Sequence, residues 1–528
     1  MKEKFDWRFN YLSKKMPILA NNIVSTSQPL ASQAGLRMML KGGNAVDAAI
    51  ASAIALTVVE PTMNGIGSDA FIILWDGSRI VGLNASGRSP AAWTYEHFLG
   101  FKSMPLFGWD SVTVPGAVSA WVELSKKFGQ LPFKTLFEPA IEYAKSGFLV
   151  SPITAQAWEY APDTYRKFPE FGKEFLLKGR APKAGELFTP PYQAKTLELI
   201  AQTEGEAFYC GNLAKKLVDF AEQTGGLLNL EDLEKHSVTW ENPLFLDYKN
   251  VVLHEIPPNS QGLAALITLG ILKQFDISSY KADSAESIHL QLEATKLAFT
   301  DLYRYVSDPS SLEFDPSLLI NSNYLEKRAN LINLEKAQKF EFGIPKNGDT
   351  VYLTTADEDG MMVSFIQSNY LGFGSGIVIP GTGISLQNRG NLFSLKQGHP
   401  NQVGPNKRPL HTIIPAFVTD RGKPTMSFGV MGGAMQPQGH AQLMTRIFEY
   451  GQNPQAAVDA PRWRVIRNLK IILEHGFNKE TSLDLRKLGH QISYEHYTRF
   501  GGAQLIHNLE NGYLGASDSR KDGQAVGF

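Results

Sequence analysis

Thr350 is the residue whose position in the sequence is best suited to chemistry. It follows Gly348-Asp349, where the polar stretch at residues 333–347 gives way to a β-rich run. If the chain were cut before Thr350, the freed α-amine could serve as base for the threonine hydroxyl, and no separate histidine would be needed. A polar linker that ends at a strand tolerates such a cut. Taken alone, however, Asp-Thr at a strand start is more often an ordinary turn.

Residues 65–70 fit the loose dinucleotide-binding pattern G-x-G-x-x-A. That motif needs a strand before the glycines and a helix after them, so that the phosphate lies at a helix N-terminus. Here a predicted helix precedes the motif and a predicted strand follows it. The sequence therefore predicts a close-packed turn at this point and implies no cofactor.

His289 and Glu293 lie four residues apart on a predicted helix and so share one face. Metal sites use this spacing, but the chain has neither an H-E-x-x-H motif nor a companion histidine-rich motif. We therefore expect a structural hydrogen bond or a solvent-facing pair rather than a metal site.

Conventional serine and cysteine hydrolases are poorly supported. No G-x-S-x-G elbow occurs, and Cys210, the only cysteine, lacks papain-like surroundings. We interpret Cys210 as a structural thiol. A single cysteine also excludes an intrachain disulfide framework and a thiolate zinc cluster.

The elements that would position Thr350 are strands at both ends of the chain with helices between them. An Asp-Glu-Asp-Gly turn at 357–360 predicts that the strand starting at Thr350 forms a hairpin with the next one. Residues 161–191 read as a surface excursion. Predicted helices cover 29–39, 45–59, 117–127, 136–145, 194–202, 285–305 and 437–450, and predicted strands cover 70–75, 80–84, 350–356, 362–367, 413–418 and 424–430.

Composition and charge exclude several classes of protein. The 528 residues are 43% hydrophobic, and 51 basic against 52 acidic side chains give a net charge of −1. No basic block supports a nucleic-acid partner, and no apolar run reaches the ~20 residues of a membrane span. Residues 1–8 contain no signal-peptide pattern. We therefore expect a cytoplasmic protein without a membrane or nucleic-acid partner.

Motifs over nearly the whole chain resemble those of the γ-glutamyltransferase (glutathione hydrolase) family, in the family's order and spacing. They are GGNAVDAA at 42–49, NGIGS at 64–68, VPG at 114–116, PPNSQG at 257–262, EATKLAF at 293–299 with Asp301, GFGSG at 372–376, PNKRP at 405–409, GG at 432–433 and GASD at 515–518.

The resemblance implies an α+β protein with the four-layer αββα N-terminal-nucleophile (Ntn) fold and no cofactor or metal. It implies a precursor that cleaves itself between Asp349 and Thr350, giving chains 1–349 and 350–528 that form one intertwined domain. These two chains would associate, and pairs of them could form a homodimer. Thr350 would be the nucleophile. Gly432 and Gly433 match the family's oxyanion hole, and Ser368 falls where the family has a second threonine that orients the nucleophile.

The substrate pocket departs from the family pattern. Arg389 stands near where relatives bind an α-ammonium group, and a buried guanidinium would repel that group. Arg88 lies close to the position of the family's carboxylate-binding arginine. The remaining substitutions are Tyr370 for an asparagine, Leu392 (with Asn391 beside it) for an aspartate, and His411-Thr412 for a pair of serines.

We expect cleavage of γ-glutamyl amides through a Thr350 acyl-enzyme, a hydrolase or acyltransferase activity on small molecules. One alternative is an N-acyl amidohydrolase for another small carboxylate-bearing acyl group, of the glutaryl type removed by cephalosporin acylases or of the oxamate type. The other is an inactive, unprocessed homologue that acts as a binding protein.

Overall fold

Two seven-stranded antiparallel sheets face each other in this computed structural model, which describes residues 14–340 and 348–528. The first, named here the nucleophile sheet, draws four strands from the part of the chain before residue 349 and three from residues 349–528. In spatial order its strands are Gln524–Gly527, Ile23–Thr26, Asp349–Ala356, Met362–Tyr370, Asp69–Trp75, Ile80–Asn84 and Thr239–Glu241.

The second sheet, named the facing sheet, packs its inner side against the nucleophile sheet. Its strands also alternate between distant parts of the chain. In spatial order they are Ile18–Ala20, Gly512–Ser517, Ala503–Leu509, Lys423–Val430, Ala416–Asp420, Val251–Glu255 and Leu244–Tyr248.

Helices cover the outer side of each sheet. Pro29–Leu40 and Ala45–Val59 lie on the nucleophile sheet, and Gly262–Leu272, Met435–Met444 and Pro454–Asp459 lie on the facing sheet. The order of layers is therefore helix, sheet, sheet, helix, which confirms the predicted αββα architecture.

The helix Ala45–Val59 shows why the sequence suits a buried layer. All fifteen residues are buried, and alanine predominates, so the helix can approach its neighbours closely. Asn44 and Asp47 cap its first turn reciprocally, each side chain accepting the other's backbone N–H. A Cβ at Gly35 of the adjacent helix would lie 2.4 Å from Ser52 Oγ, so only glycine fits at that crossing.

The other elements surround this core. Further helices are Ala117–Phe128, Glu138–Ser146, Pro152–Trp158, Ala161–Thr164, Pro169–Phe175, Gln193–Gln202, Glu206–Tyr209, Asn212–Thr224, Leu230–Glu234, Ala285–Tyr305, Ser322–Ala329 and Lys479–Lys487. Smaller sheets pair Phe148–Leu149 with Leu187–Phe188, Val378–Ile379 with Ile384–Ser385, and Trp463–Arg467 with Lys470–Glu474 and Gln491–Glu495. Short 3₁₀ turns occupy Glu96–Phe98, Trp109–Ser111, Phe133–Phe137, Ile277–Ser279, Pro309–Ser311, Pro316–Ile320, Arg389–Leu392 and Tyr497–Arg499.

The predicted helices and strands occur, with two shifts in the second half. The strand expected at 413–418 is Ala416–Asp420, and the helix expected at 437–450 begins at Met435 and becomes a π-helical turn at Thr445–Glu449. The hairpin Leu244–Tyr248 and Val251–Glu255 was missed within the part predicted as mostly helical. Its turn places Lys249 at a φ of 53° without the Asn-Gly signal that usually marks such turns.

Two further interpretations were wrong. The stretch 161–191 is not a mere surface excursion, because Phe171 and Phe175 are buried and pack on Phe373. Cys210 is exposed rather than part of the core. The signal-peptide question concerns residues 1–8, which lie outside the described residues. Among the described residues, none of the helices is long and apolar enough to cross a membrane.

Candidate active site

Thr350 is buried at the second position of the strand Asp349–Ala356. In the hairpin with Met362–Tyr370, Asp349 pairs with Tyr370 and Val351 pairs with Gln367. Two residues, Ser368 and Asn369, therefore oppose Thr350 alone, which makes a β-bulge. Bulges re-aim side chains next to active sites. The predicted hairpin thus also brings Thr350 and Ser368 together.

Ser368 links the Thr350 hydroxyl to the peptide bond that precedes it. Thr350 Oγ1 donates to Ser368 Oγ at 3.3 Å, and Ser368 Oγ donates to the Asp349 carbonyl oxygen at 2.7 Å. The Tyr370 N–H donates to Ser368 Oγ at 2.8 Å and holds the hydroxyl in place. The arrangement can take a proton from Thr350 and polarise the carbonyl group that Thr350 would attack.

Gln436 is the second side chain, after Ser368, that contacts Thr350 Oγ1, and it was not predicted from the sequence. Its Nε2 donates to Thr350 Oγ1 at 3.4 Å, while its Oε1 accepts the Ile414 N–H at 2.9 Å. Gln436 is fully buried in the first turn of Met435–Met444. Its position three residues after Gly433 was the signal in the sequence that could have identified it.

Gly432 and Gly433 lie beside the nucleophile, between the strand Lys423–Val430 and the helix Met435–Met444. Their φ angles are 117° and 61°, a region that favours glycine. Gly432 lines the same small cavity as Thr350, and a Cβ on Gly348 would lie 3.2 Å from Gly433 Cα. This position is compatible with the predicted oxyanion hole, which stays a prediction.

Arg389 is fully buried with hydrogen-bonding capacity left over. Its guanidinium lies over the Tyr370 ring, 5.0 Å from the centroid, and Nη1 donates to Thr412 Oγ1 at 2.6 Å. Its Nε and Nη2 have no hydrogen-bond partner among the described residues. Burial lowers the pKa of Arg389 to about 9, while the carboxylate of Asp69 opposes the shift. The guanidinium therefore stays charged at neutral pH.

His411 contacts Asp69 rather than the nucleophile. Its Nε2 lies 3.1 Å from Asp69 Oδ2, and both side chains are fully buried. Burial and the charge of Arg389 lower the pKa of His411 well below its ordinary value, so the ring is neutral. Burial raises the pKa of Asp69 to about 7, against the opposing effects of Arg389 and the N–H groups of Gly87 and Gly116. His411 thus binds Asp69 and stays uncharged near Arg389.

A cavity of about 400 Å³ opens next to Thr412. Gln261 separates this Thr412 cavity from the glycine pair, because its Nε2 donates to the carbonyl oxygens of both Thr412 and Gly433. The cavity wall also includes Tyr303, Leu392, Phe393 and His399. Leu392 and Thr412 are two of the positions predicted to form the substrate pocket.

Neither Arg88 nor Arg389 lines the Thr412 cavity or the cavity at Thr350. The side chain of Arg88 is also partly exposed, at 44%, and its Nη1 pairs with Asp308 Oδ2 at 3.1 Å. The suggestion that Arg88 binds a substrate carboxylate stays a prediction, and Arg389 is the arginine that the structure places beside Tyr370.

The other two motifs serve packing. Gly67 lies so close to the loop at Ser385 that a Cβ would meet its carbonyl oxygen at 2.3 Å, as expected for a tight turn. His289 and Glu293 do share a helix face, where His289 Nδ1 lies 2.8 Å from His490 Nε2 and Lys296 Nζ bonds Glu293 at 2.5 Å. These groups can be grouped as metal ligands by distance. Because Lys296 already binds the Glu293 carboxylate and His289 contacts His490 directly, these side chains form a hydrogen-bonded cluster rather than a metal site.

Comparisons with known proteins agree over almost the whole chain. The family model described as gamma-glutamyltranspeptidase matches residues 31–528. The glutathione hydrolase-like YwrD proenzyme of Bacillus subtilis (strain 168) is 36% identical over 527 residues, covering 97% of this chain and 100% of that protein. The oxamate amidohydrolase proenzyme of Klebsiella pneumoniae is 36% identical over 515 residues, with coverages of 94% and 97%.

Among solved structures, the cephalosporin acylase from Bacillus halodurans superimposes with a TM-score of 0.96 and 44% sequence identity, over 99% of both chains. A γ-glutamyltranspeptidase from Helicobacter pylori superimposes with a TM-score of 0.57 and 28% identity, over 61% of this chain and 94% of that chain. The predicted N-terminal-nucleophile fold is therefore confirmed.

Proposed function

The chain belongs to the γ-glutamyltranspeptidase family, and we propose that it is a self-cleaving amidohydrolase whose acyl substrates carry a carboxylate that binds Arg389. The contacts of Thr350 with Ser368 and Gln436 support the first part of the proposal. The Nε and Nη2 atoms of the buried Arg389, which have no hydrogen-bond partner in the part of the chain that the structure describes, carry the second part.

Self-cleavage begins when Thr350 Oγ1 attacks the carbonyl carbon of Asp349 and the hydroxyl proton passes toward Ser368. The Asp349–Thr350 C–N bond breaks, and the nitrogen takes up a proton to become the α-amine of Thr350. An ester now joins Asp349 to Thr350 Oγ1. Water hydrolyses that ester, leaving the chain 1–349 with a terminal carboxylate and the chain 350–528 with a free nucleophile.

In turnover, the α-amine of Thr350 accepts the hydroxyl proton while Oγ1 attacks the amide carbonyl of the substrate. In the predicted oxyanion hole, the N–H groups of Gly432 and Gly433 would stabilise the developing oxyanion, where one such donor is typically worth ~2.7–4 kcal/mol. The C–N bond breaks, the leaving amine takes the proton, and water then hydrolyses the acyl-enzyme. A second amine in place of water would give transfer instead of hydrolysis.

The charge on Arg389 decides which acyl groups fit. A buried guanidinium with two free donors is suited to a carboxylate, because charge-assisted hydrogen bonds are strong and bidentate pairing matches the two groups. γ-Glutamyl and glutaryl groups both carry that carboxylate. The α-ammonium of a γ-glutamyl group would lie close to a second positive charge, so glutaryl-type donors are the better substrates.

Intact mass under denaturing conditions tests the self-cleavage. The wild type is expected to give two fragments divided between Asp349 and Thr350, Thr350→Ala to stay whole, and Thr425→Ala in the facing sheet to cleave normally. An uncleaved wild type that stays whole on incubation would contradict the proposal.

Substrate choice is tested on the cleaved enzyme with glutaryl-4-nitroanilide and γ-glutamyl-4-nitroanilide. We expect the glutaryl compound to have the higher kcat/KM. Strict dependence on the α-amino group would show that the ammonium is recognised after all and would remove the role assigned to Arg389.

A further inference from the structure

Gln261 is a buried side chain that joins two parts of the site, and the proposed reaction steps do not involve it. It is 1% exposed, and its Nε2 donates to the carbonyl oxygens of both Thr412 and Gly433, the latter at 2.8 Å. Arg389 contacts Thr412, and Gly433 belongs to the glycine pair, Gly432 and Gly433, beside the nucleophile. One amide group therefore connects the side of the site assigned to acyl recognition with the side where the oxyanion is predicted to form.

The main chain of Gln261 is held in place by its neighbours. Gln261 is the fifth residue of the PPNSQG motif at 257–262 and directly precedes the helix Gly262–Leu272. Its N–H donates to the His411 carbonyl oxygen at 2.9 Å, and the His411 N–H donates to the Asn259 carbonyl oxygen at 2.8 Å. The motif therefore lies alongside the segment that contains Thr412, and the Gln261 side chain extends from a fixed main chain.

The glycine pair needs a restraint from outside. The φ angles of Gly432 and Gly433 are 117° and 61°, and glycine has little preference of its own among such conformations. The Gly433 carbonyl oxygen accepts the Gln436 N–H at 3.1 Å, a local bond within the first turn of the next helix. The bond from Gln261 comes from 172 residues away in the sequence. It ties the glycine pair to a part of the chain that does not move with that turn.

Hydrogen bonds continue from Gln261 in both directions. On one side, Thr412 Oγ1 accepts from Arg389 Nη1 at 2.6 Å. On the other side, Gln436 follows the glycine pair and its Nε2 donates to Thr350 Oγ1 at 3.4 Å. Gln261 is thus the middle of a path of contacts that leads from the arginine to the nucleophile.

We propose that Gln261 is a positioning residue, which fixes the glycine pair relative to Thr412. An acyl group whose carboxylate binds Arg389 would then present its carbonyl oxygen to the N–H groups of the glycine pair. A residue needed only to close the Thr412 cavity could be apolar, whereas this role needs the amide donor. The inference rests on the proposed function, because it takes the oxyanion to form at the glycine pair and the acyl carboxylate to bind Arg389.

Gln261→Met tests the donor apart from the cavity wall. Methionine keeps an unbranched side chain of similar length but has no hydrogen to donate. We expect kcat for glutaryl-4-nitroanilide to fall about tenfold. Butyryl-4-nitroanilide lacks the acyl carboxylate but forms the same oxyanion, so its kcat should fall equally. The ratio of kcat/KM for glutaryl over butyryl should fall at least about threefold, because Thr412 also holds Arg389. Rates are expressed per cleaved molecule, with cleavage measured by intact mass.

Gln442→Met is the matched control. Gln442 is also buried, at the far end of the helix Met435–Met444, and its Nε2 donates to the carbonyl oxygens of Gln438 and Trp463, both at 3.1 Å. This variant loses the same kind of bonds without touching the glycine pair, and its kcat should stay within about twofold of the wild type. The proposal is overturned if kcat is unchanged in Gln261→Met or falls no further than in the control.

Gln261→Glu gives the role a pH signature. A carboxylate cannot donate and would face two carbonyl oxygens, whereas the protonated acid can donate one hydrogen bond. The kcat of Gln261→Glu relative to the wild type should therefore rise at least about fivefold from pH 8 to pH 5, and that of Gln261→Met should stay constant. Tyr303, Lys396 and His399 in the cavity wall, and Arg389, are common to all three proteins, so the ratio removes their titration. Identical pH profiles for the two variants would refute the donor role.

Hydrogen exchange in the uncut chain separates this inference from the proposed function. Every protein compared carries Thr350→Ala, so neither self-cleavage nor turnover takes part, and mass spectrometry of peptic fragments follows the N–H groups of residues 431–436. We expect exchange there to be at least about threefold faster when Gln261→Met is added, and unchanged when Gln442→Met is added. Equal exchange in all three would refute the restraint even if glutaryl amides are cleaved. If no amide is cleaved but this pattern appears, only the proposed function fails.

Discussion

Replacing Arg389 by methionine is the sharpest test of substrate recognition. The change removes the charge and the two unused donors, Nε and Nη2, but keeps an unbranched apolar stem between Tyr370 and Thr412. Each charge-assisted hydrogen bond is worth about 1.5–3 kcal/mol. Two of them, at the lower bound, make about 3 kcal/mol, a loss on the order of 100-fold in kcat/KM.

A second substrate, which lacks the carboxylate, completes a thermodynamic cycle with the Arg389→Met variant. Butyryl-4-nitroanilide has nearly the shape of glutaryl-4-nitroanilide but ends in a methyl group, so it cannot use the Arg389 donors. We expect Arg389→Met to lower kcat/KM for the glutaryl compound on the order of 100-fold and to change the butyryl value only a few-fold. The ratio of the two effects isolates the pairing energy from any general damage to the site.

Arg389→Lys refines the comparison, because lysine keeps the charge without the planar fork. An intermediate loss with the glutaryl substrate is expected. Equal losses with the glutaryl and butyryl substrates in Arg389→Met would show that Arg389 supports the structure without touching the acyl group. Intact mass of each variant confirms that the compared chains are cleaved to the same extent.

Three further predictions concern groups around the nucleophile. Ser368→Ala should slow self-cleavage at least about tenfold, because the Asp349 carbonyl oxygen and Thr350 Oγ1 both lose a hydrogen-bond partner. Time-resolved intact mass measures the rate, with Thr425→Ala as the control. An unchanged rate would contradict the prediction. Gln436→Leu removes the donor to Thr350 Oγ1 and should lower kcat about tenfold, a loss of about 1.4 kcal/mol. Tm should fall as well, because the buried Ile414 N–H loses its acceptor. Equal kcat would refute the contact. Burial raises the pKa of Glu60 from 4.5 to about 7, so the folded state keeps a proton that the unfolded state loses, and stability from this group falls as pH rises through that window. Glu60→Gln should therefore gain Tm relative to the wild type between pH 4.5 and 7.5, and a constant difference would argue against the raised pKa.

Local patterns account for the predicted hairpin that brings Thr350 and Ser368 together. Thr350 and Ser368 lie eighteen residues apart on two strands joined by the turn at 357–360, and a tight hairpin sets their pairing within a short stretch of chain. Gly432 and Gly433 were identified by resemblance, and their positive φ angles agree with a need for glycine at that bend.

Contacts between residues far apart in the sequence could not be predicted from local patterns. Gln436 reaches Thr350 from 86 residues away, and Asp69 reaches His411 from 342 residues away. Arg389 was named as a pocket residue from the sequence. The free energy needed to bury its charge depends on Tyr370, Thr412 and Asp69 around it. The same surroundings leave its Nε and Nη2 without a hydrogen-bond partner among the described residues.

The sequence by itself determined the helices and strands around Thr350 and the family, and it predicted Thr350 as the nucleophile, because these depend on short-range periodicity, turn residues and ordered motifs. Only the tertiary structure decided what surrounds that nucleophile. Each sheet takes strands from both sides of Thr350, so the neighbours of the hydroxyl and of Arg389 are brought together by packing between segments far apart in the chain. Charge and desolvation at those points follow from that packing, and so does the proposed preference for carboxylate-bearing acyl groups.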